Sequence, residues 1–243
     1  MTYGQIHSIE SMGLVDGPGI RTVVFLQGCR LRCNFCHNPD TWSRDGGTQM
    51  TPEALVSRLL RYRPYFDRSG GGVTFSGGEP LLQPAFLAET LRLCKRAGIH
   101  TCVDTAGCGI GQYEEILDAT DLLLYDVKAV TKEEYTAVTG ASWEETRRFL
   151  TAVANTAVPM RVRFVVVPGR SDSDDAMKAL RRFVRDSLPN VQSVELLPYH
   201  LLGENKYKAL GIPYPLAGVP PMDHHTIQQY QQTYFSDEWR TLL

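Results

Sequence analysis

The sequence predicts an α/β fold in which short buried strands run parallel and alternate with helices. Three observations carry that expectation. Short, mainly apolar runs recur six times, at 22–26, 73–75, 100–103, 122–125, 161–167 and 193–197. Apolar residues at helical spacing occupy the intervals between them. Most of the runs end in a glycine-rich or polar cluster, and the carboxyl ends of strands are where α/β folds gather their sites.

Taken in order, residues 3–10 alternate only weakly. Val15-Asp16-Gly17-Pro18-Gly19-Ile20-Arg21 then places two glycines and a proline in seven positions, a strong turn signal. Two readings stand for this loop. It is a plain connection into the first strand, or its glycines let the backbone approach a partner, with Asp16 and Arg21 as polar contacts. Thr22-Val23-Val24-Phe25-Leu26 is nearly continuously apolar, as in a strand covered on both faces. Cys29, Cys33 and Cys36 follow at its carboxyl end.

After Pro39 and Trp42 a polar stretch leads to Thr51-Pro52-Glu53, an N-cap, a first-turn proline and an early acid, so a helix is expected over 52–63. Gly70-Gly71-Gly72 interrupts the chain before Val73-Thr74-Phe75, which closes in Ser76-Gly77-Gly78-Glu79-Pro80. Leu87, Leu91 and Cys94 mark a helix over 84–97 that Gly98 ends. The third strand, 100–103, runs into Asp104-Thr105-Ala106-Gly107, and a short helix covers 113–117. The fourth, 122–125, runs into Asp126-Val127-Lys128, with helices expected at 132–138 and 143–155. The fifth carries Arg163, a helix spans 173–185, the sixth ends at Pro198-Tyr199-His200, and a last helix covers 223–234. Strand-helix alternation implies parallel pairing through right-handed crossovers. No repeat or dividing linker is present, so residues 1–243 are expected to form one domain.

With 43% hydrophobic and 21% charged residues and a formal net charge of -2, the composition is that of a soluble protein with no electrostatic reason to bind nucleic acid or a membrane. The start, Met1-Thr2-Tyr3-Gly4-Gln5, is neither basic nor apolar, and no uninterrupted apolar run approaches the roughly 18 residues of a membrane span. Six cysteines, three within eight residues, point to metal in a reducing compartment rather than to disulfides. A cytoplasmic location is expected.

The C-x3-C-x2-C run of Cys29, Cys33 and Cys36 is the most informative feature. Three local thiolates can cap three irons of a 4Fe-4S cube and leave the fourth open for chemistry. Zinc is the competing ligand, but closed zinc sites present two Cys or Cys/His pairs, and no second pair sits at a suitable spacing. His37, directly after Cys36, is an awkward fourth ligand to the same ion. Cys94, Cys102 and Cys108 read as small buried hydrophobes.

This spacing, with Phe35 before the third cysteine, resembles the signature of radical S-adenosylmethionine (SAM) enzymes. Gly77-Gly78-Glu79 is similar to the motif that contacts the cofactor's amino group in that family. Asp16-Gly17-Pro18-Gly19-Ile20-Arg21, Cys36-His37-Asn38-Pro39, Asp104-Thr105-Ala106-Gly107 and Asp126-Val127-Lys128 together resemble glycyl-radical-enzyme activases, over about 6–234. The resemblance implies a partial (β/α)6 TIM-like barrel of parallel strands. It implies a 4Fe-4S cluster on Cys29, Cys33 and Cys36, with Lys128 and Arg163 in the catalytic machinery. SAM would be bound by Phe35, Cys36, His37 and Asn38, by Gly77, Gly78 and Glu79, and by Asp126, Val127, Lys128, Arg163 and His200. Asp104, Thr105 and Asp126 resemble a monovalent-cation site. Asp16, Gly17, Pro18, Gly19 and Arg21 would face the protein partner.

The implied activity is reductive cleavage of SAM under anaerobic conditions, followed by removal of a hydrogen atom from a backbone glycine of the partner, which the resemblance makes pyruvate formate-lyase. Flavodoxin or ferredoxin would supply the electron, and a monomer is expected. The interval 38–76 lacks cysteine, so one cluster is expected. The alternatives are an activase of a different glycyl-radical enzyme, a small-molecule radical SAM enzyme and an electron-transfer module without chemistry of its own.

Overall fold

A computed structural model describes residues 2–236. The first strand is β1 (Gly4–Gly13), then β2 (Arg21–Leu26) and β3 (Thr48–Met50). Helices α1 (Pro52–Leu59) and α2 (Arg63–Ser69) lead to β4 (Gly72–Gly77), and α3 (Pro84–Arg96) to β5 (His100–Thr105). Next come α4 (Tyr113–Asp118), β6 (Leu122–Val127), α5 (Lys132–Thr139), α6 (Trp143–Ala154) and β7 (Met160–Val166). The chain continues through α7 (Asp174–Ser187), β8 (Val191–Pro198), α8 (Glu204–Leu210) and α9 (His224–Phe235).

All eight strands form one sheet in the order β3-β1-β2-β4-β5-β6-β7-β8. From β2 to β8 every neighbouring pair is parallel, so the six expected strands pair as expected, each crossover stepping to the adjacent position. Their carboxyl ends therefore converge on one side of the sheet. β6 reads Leu122 to Tyr125 buried on both faces, which is why the run lacks alternation.

Uniform parallel pairing is corrected at one edge, where β1 pairs antiparallel with both β2 and β3. β1 buries little beyond Gly4 and Ile6, and β3 is mostly exposed, so neither carries the apolar signature of a strand. The helix expected to stop at 63 instead passes through a 3-10 turn (Leu60–Tyr62) into α2. Pro64 is tolerated because it stands in the first turn of α2, where its missing N–H is not needed. Helix α8 carries no apolar periodicity to announce it, being short and burying only Tyr207. Among the described residues, no helix is long and apolar enough to cross a membrane.

Arg21 is corrected as a partner contact. It opens β2 and is fully buried at 0% exposure. Its Nε donates to Thr74 Oγ1 (3.0 Å), its Nη2 to the Val73 carbonyl, and its Nη1 meets His100 Nδ1 (3.2 Å). Thr74 in turn donates to the carbonyl of Asp16 (2.6 Å). The guanidinium thus fastens the glycine loop across the amino ends of β2, β4 and β5. A buried guanidinium this fully bonded leaves several acceptors unpaired when removed, so Arg21→Met is expected to cost about 3 kcal/mol, read as a lower urea midpoint with an unchanged slope. The exposed residues are instead the preceding Leu14 (72%) and Val15 (81%).

Candidate active site

The cysteine loop leaves β2 and is stitched to the body from several directions. Gly28 and Cys29 N–H donate to the carbonyls of Thr41 and Trp42, and Arg32 and Asn34 N–H donate to those of Thr139 and Val138 at the end of α5. Gly78 and Glu79 N–H donate to the carbonyls of Leu26 and Gly28. The glycines after β4 are required by this approach. Gly77 has φ +108°, and a Cβ on Gly78 would stand 2.2 Å from the Gly28 carbonyl oxygen, a distance no side chain tolerates.

Within the loop Leu31 and Cys33 are buried, and Arg30 and Arg32 are exposed. The three thiols are free and share one apolar cluster with Leu31, Phe35, Ala106 and Tyr135. Burial pushes the Cys29 thiol up to about 12 and the Cys33 thiol up to about 11, and raises Cys36 as well. Cys36 Sγ also accepts from the Asn38 N–H (3.4 Å).

Thiolates on one zinc ion, at about 2.3 Å each, lie within ~4 Å of one another. Among the described residues no three His, Cys, Asp or Glu side chains close around a single ion. The three thiols instead line one cluster, and an all-thiol donor set of three suits an iron-sulfur group.

The strand ends bring charge to this loop. Lys128 Nζ lies 5.6 Å from the Phe35 ring centroid and 2.9 Å from Asp126 Oδ2. Arg163, from β7, donates through Nε to Asp126 Oδ1 (3.1 Å) and through Nη2 to Asp104 Oδ1. Ser76 Oγ donates to the other Asp104 oxygen (2.7 Å). Asp104 of β5, Asp126 of β6 with Lys128 just after it, and Arg163 of β7 thus form a row of two acids and two cations, bonded at one end to Ser76 of β4. Burial raises Asp126, but Arg163 and Lys128 outweigh it and hold the carboxyl below the usual range. At Asp104 burial wins over Arg163 and the pKa is raised. Burial disfavours the Lys128 ammonium, yet Asp126 beside it holds it charged. Across the cleft the rings of His37 and His200 stack at 4.0 Å, and His37 Nε2 lies 3.2 Å from the His200 carbonyl.

The sequence model of the radical SAM superfamily matches residues 23–181. A pyruvate formate-lyase-activating enzyme of Clostridium pasteurianum is 56% identical over 223 residues, covering 92% of this chain and 93% of that protein. The pyruvate formate-lyase 1-activating enzyme of Escherichia coli K12 is 46% identical over 230 residues, 93% of each chain. The chain belongs to the radical SAM superfamily. A solved domain of a pyruvate-formate lyase-activating enzyme from Bacteroides vulgatus superposes with a TM-score of 0.53 at 27% identity, covering 67% of this chain and 92% of that one. Membership makes the protein an enzyme that works with SAM and a 4Fe-4S cluster.

Several radical SAM expectations change in detail. Glu79 does not reach the cleft. It is 1% exposed, and its carboxylate accepts from Leu81 N–H (3.1 Å), Thr105 Oγ1 (2.5 Å) and Ala106 N–H (3.1 Å). Burial raises its pKa to about 7 against those donors. It ties the β4 loop to the β5 loop. Thr105, expected beside a cation, spends its hydroxyl on Glu79 instead. Val127 is buried in the main core, so only its backbone is free to meet a ligand. Asn38 Oδ1 accepts from Lys206 Nζ (2.9 Å), a lysine of α8.

Cys94 and Cys102 are fully buried, as expected. Cys108 is buried too, and its thiol donates to Glu145 Oε2 (2.9 Å), which also holds Arg30 (2.8 Å). Tyr135 stands in the thiol cluster, and Tyr207 packs on Trp42 next to it. Nothing in their spacing marks them, since they come from three separate segments.

Proposed function

We propose that this enzyme activates pyruvate formate-lyase in the anaerobic cytoplasm, residues 1–243 acting as one domain, by installing a radical on a backbone glycine of that partner. The observation that carries the reading is the junction of three clustered thiols with the Lys128–Asp126–Arg163–Asp104 row, on a chain similar over nine-tenths of its length to activating enzymes. Cys29, Cys33 and Cys36 hold the cluster. When bound, a reduced 4Fe-4S cluster supplies the single electron that cleaves SAM to methionine and the 5'-deoxyadenosyl radical.

The chain's own residues prepare that event. Lys128 and Arg163 offer two fixed cations for the carboxylate of SAM, held charged by Asp126 and Asp104. Phe35, His37 and His200 supply flat surfaces for its adenosine, and the backbone at Gly77 and Gly78 its amino-group contacts. Burial of the loop keeps water and stray C–H bonds from a radical that attacks nearly any hydrogen. A monovalent cation would rest on Asp104 and Asp126 without Thr105, and must draw a carboxylate from Arg163. Exposed Leu14 and Val15, beside the Asp16–Gly19 loop, present the apolar surface that a protein partner covers. A flavodoxin or ferredoxin supplies electrons to the monomer.

The test is anaerobic reconstitution with reductant, SAM and candidate glycyl-radical enzymes. A glycyl radical signal on pyruvate formate-lyase with one 5'-deoxyadenosine per radical is expected. Deoxyadenosine formed only with a small molecule, or a radical only on another glycyl-radical enzyme, overturns the reading.

A further inference from the structure

Among the described residues, the buried side-chain polar atoms without a hydrogen-bond partner are Thr22 Oγ1, Arg161 Nε and the hydroxyls of Tyr135 and Tyr207. Tyr135 belongs to the thiol cluster, and Tyr207 to the adjoining main core, where it packs on Trp42. Tyr135 is 2% exposed and projects from α5 into the apolar cluster that contains Leu31, Cys33 and Cys108, with Cys29 and Cys36 at its margin. α5 is also the helix whose last carbonyls receive the loop's Arg32 and Asn34 N–H groups. Tyr207 is 1% exposed and comes from α8. Its ring meets Trp42 edge-on at 5.7 Å, and the Trp42 carbonyl receives the Cys29 N–H of the cysteine loop. At Gly203, just before α8, an added Cβ would touch the Cys36 carbonyl at 3.0 Å.

A buried tyrosine hydroxyl ordinarily finds an acceptor, because leaving one unpaired costs about 1–3 kcal/mol. Phenylalanine would fill either position without that cost. Two such hydroxyls, one inside the thiol cluster on α5 and one behind Trp42 on α8, call for an acceptor that the protein chain itself does not provide. Thiolate and sulfide sulfurs carry negative charge and accept hydrogen bonds where a protonated thiol does so only weakly.

We propose that Tyr135 and Tyr207 donate hydrogen bonds to sulfur atoms of the cluster held by Cys29, Cys33 and Cys36, and so raise its reduction potential. The proposal rests on reading that loop as the cluster site. A donor facing a sulfur offsets negative charge, and the reduced cluster, carrying one more electron, gains the most.

The experiment uses Tyr135→Phe, Tyr207→Phe and the double variant, reconstituted anaerobically, with iron and sulfide content measured first. A redox titration followed by electron paramagnetic resonance, without SAM, is expected to show more negative potentials. In the double variant the reduced-to-oxidised ratio at a fixed poise falls about tenfold, equivalent to ~59 mV for a one-electron couple. In the unloaded proteins, removing an unpaired hydroxyl is expected to leave the melting temperature unchanged or higher. An unchanged potential at full iron content overturns the proposal, and so does a lower melting temperature in the unloaded variants, which would mean the hydroxyls already have partners. A variant that folds but takes up no iron is judged by that second measurement. Wild-type protein that fails to load iron strikes at the cluster site itself, a distinct outcome.

Discussion

Cys33→Ala is expected to abolish reductive cleavage of SAM, with 5'-deoxyadenosine falling below detection and bound iron falling with it. Cys33 is the most enclosed of the three thiols, at 7% exposure, and the middle member of the C-x3-C-x2-C run. With two thiolates left, a 4Fe-4S cube loses its third anchor. The fold should survive, because trading a sulfur for hydrogen opens only a small cavity, a loss of about 1 kcal/mol. Circular dichroism and the melting of the unloaded chain therefore serve as the control. Cys94→Ala provides the contrast, since Cys94 is fully buried within α3 in the main core, away from the thiol cluster. It should lower stability modestly and leave iron content intact. Retained cleavage in Cys33→Ala would remove the basis of the functional assignment.

The sheet and the site were legible to different depths for physical reasons. Strands β2 and β6 announce themselves because covering both faces demands an unbroken apolar run, as in Leu122 to Tyr125, whereas β7 shows itself by alternation. β1 and β3 are edge elements with little to bury, and only backbone pairing defines them. The thiols were legible because their chemistry depends on local spacing. The positions of the polar residues at the strand ends were legible from topology alone, since parallel strands deliver their carboxyl ends to one side.

What each polar side chain contacts was not legible. Arg21, framed by glycines and proline, carries every sequence mark of exposure and is fully buried because Thr74, Val73 and His100 from two other strands surround it. Glu79 and Thr105 each look available for a ligand and bond to each other instead. The His37–His200 stack joins residues 163 positions apart, and local pattern carries no information at that range.

Arg163→Leu is expected to destabilise the protein by about 3–5 kcal/mol near neutral pH, the cost of leaving buried charge unpaired. Arg163 and Asp104 side chains are 12% and 11% exposed, so water offers little compensation, and one guanidinium serves both Asp104 and Asp126. Without it two carboxylates share the single charge of Lys128. The pH dependence follows from Asp104, whose pKa is already raised by burial against Arg163. Losing the arginine raises it further above the unfolded carboxylate value. A carboxyl with a raised folded pKa keeps its full contribution below the unfolded value and loses it as pH climbs to the folded one. The deficit should therefore be largest in alkali and shrink towards acid. Adding Asp104→Asn removes the surplus charge and should recover much of the loss, a coupling expected only between residues in contact. Urea unfolding of wild type, both single variants and the double variant at pH 5.5 and pH 8 decides the matter. Equal destabilisation of Arg163→Leu at the two pH values, or simple additivity with Asp104→Asn, would show that Arg163 acts by packing its stem rather than by neutralising the two acids.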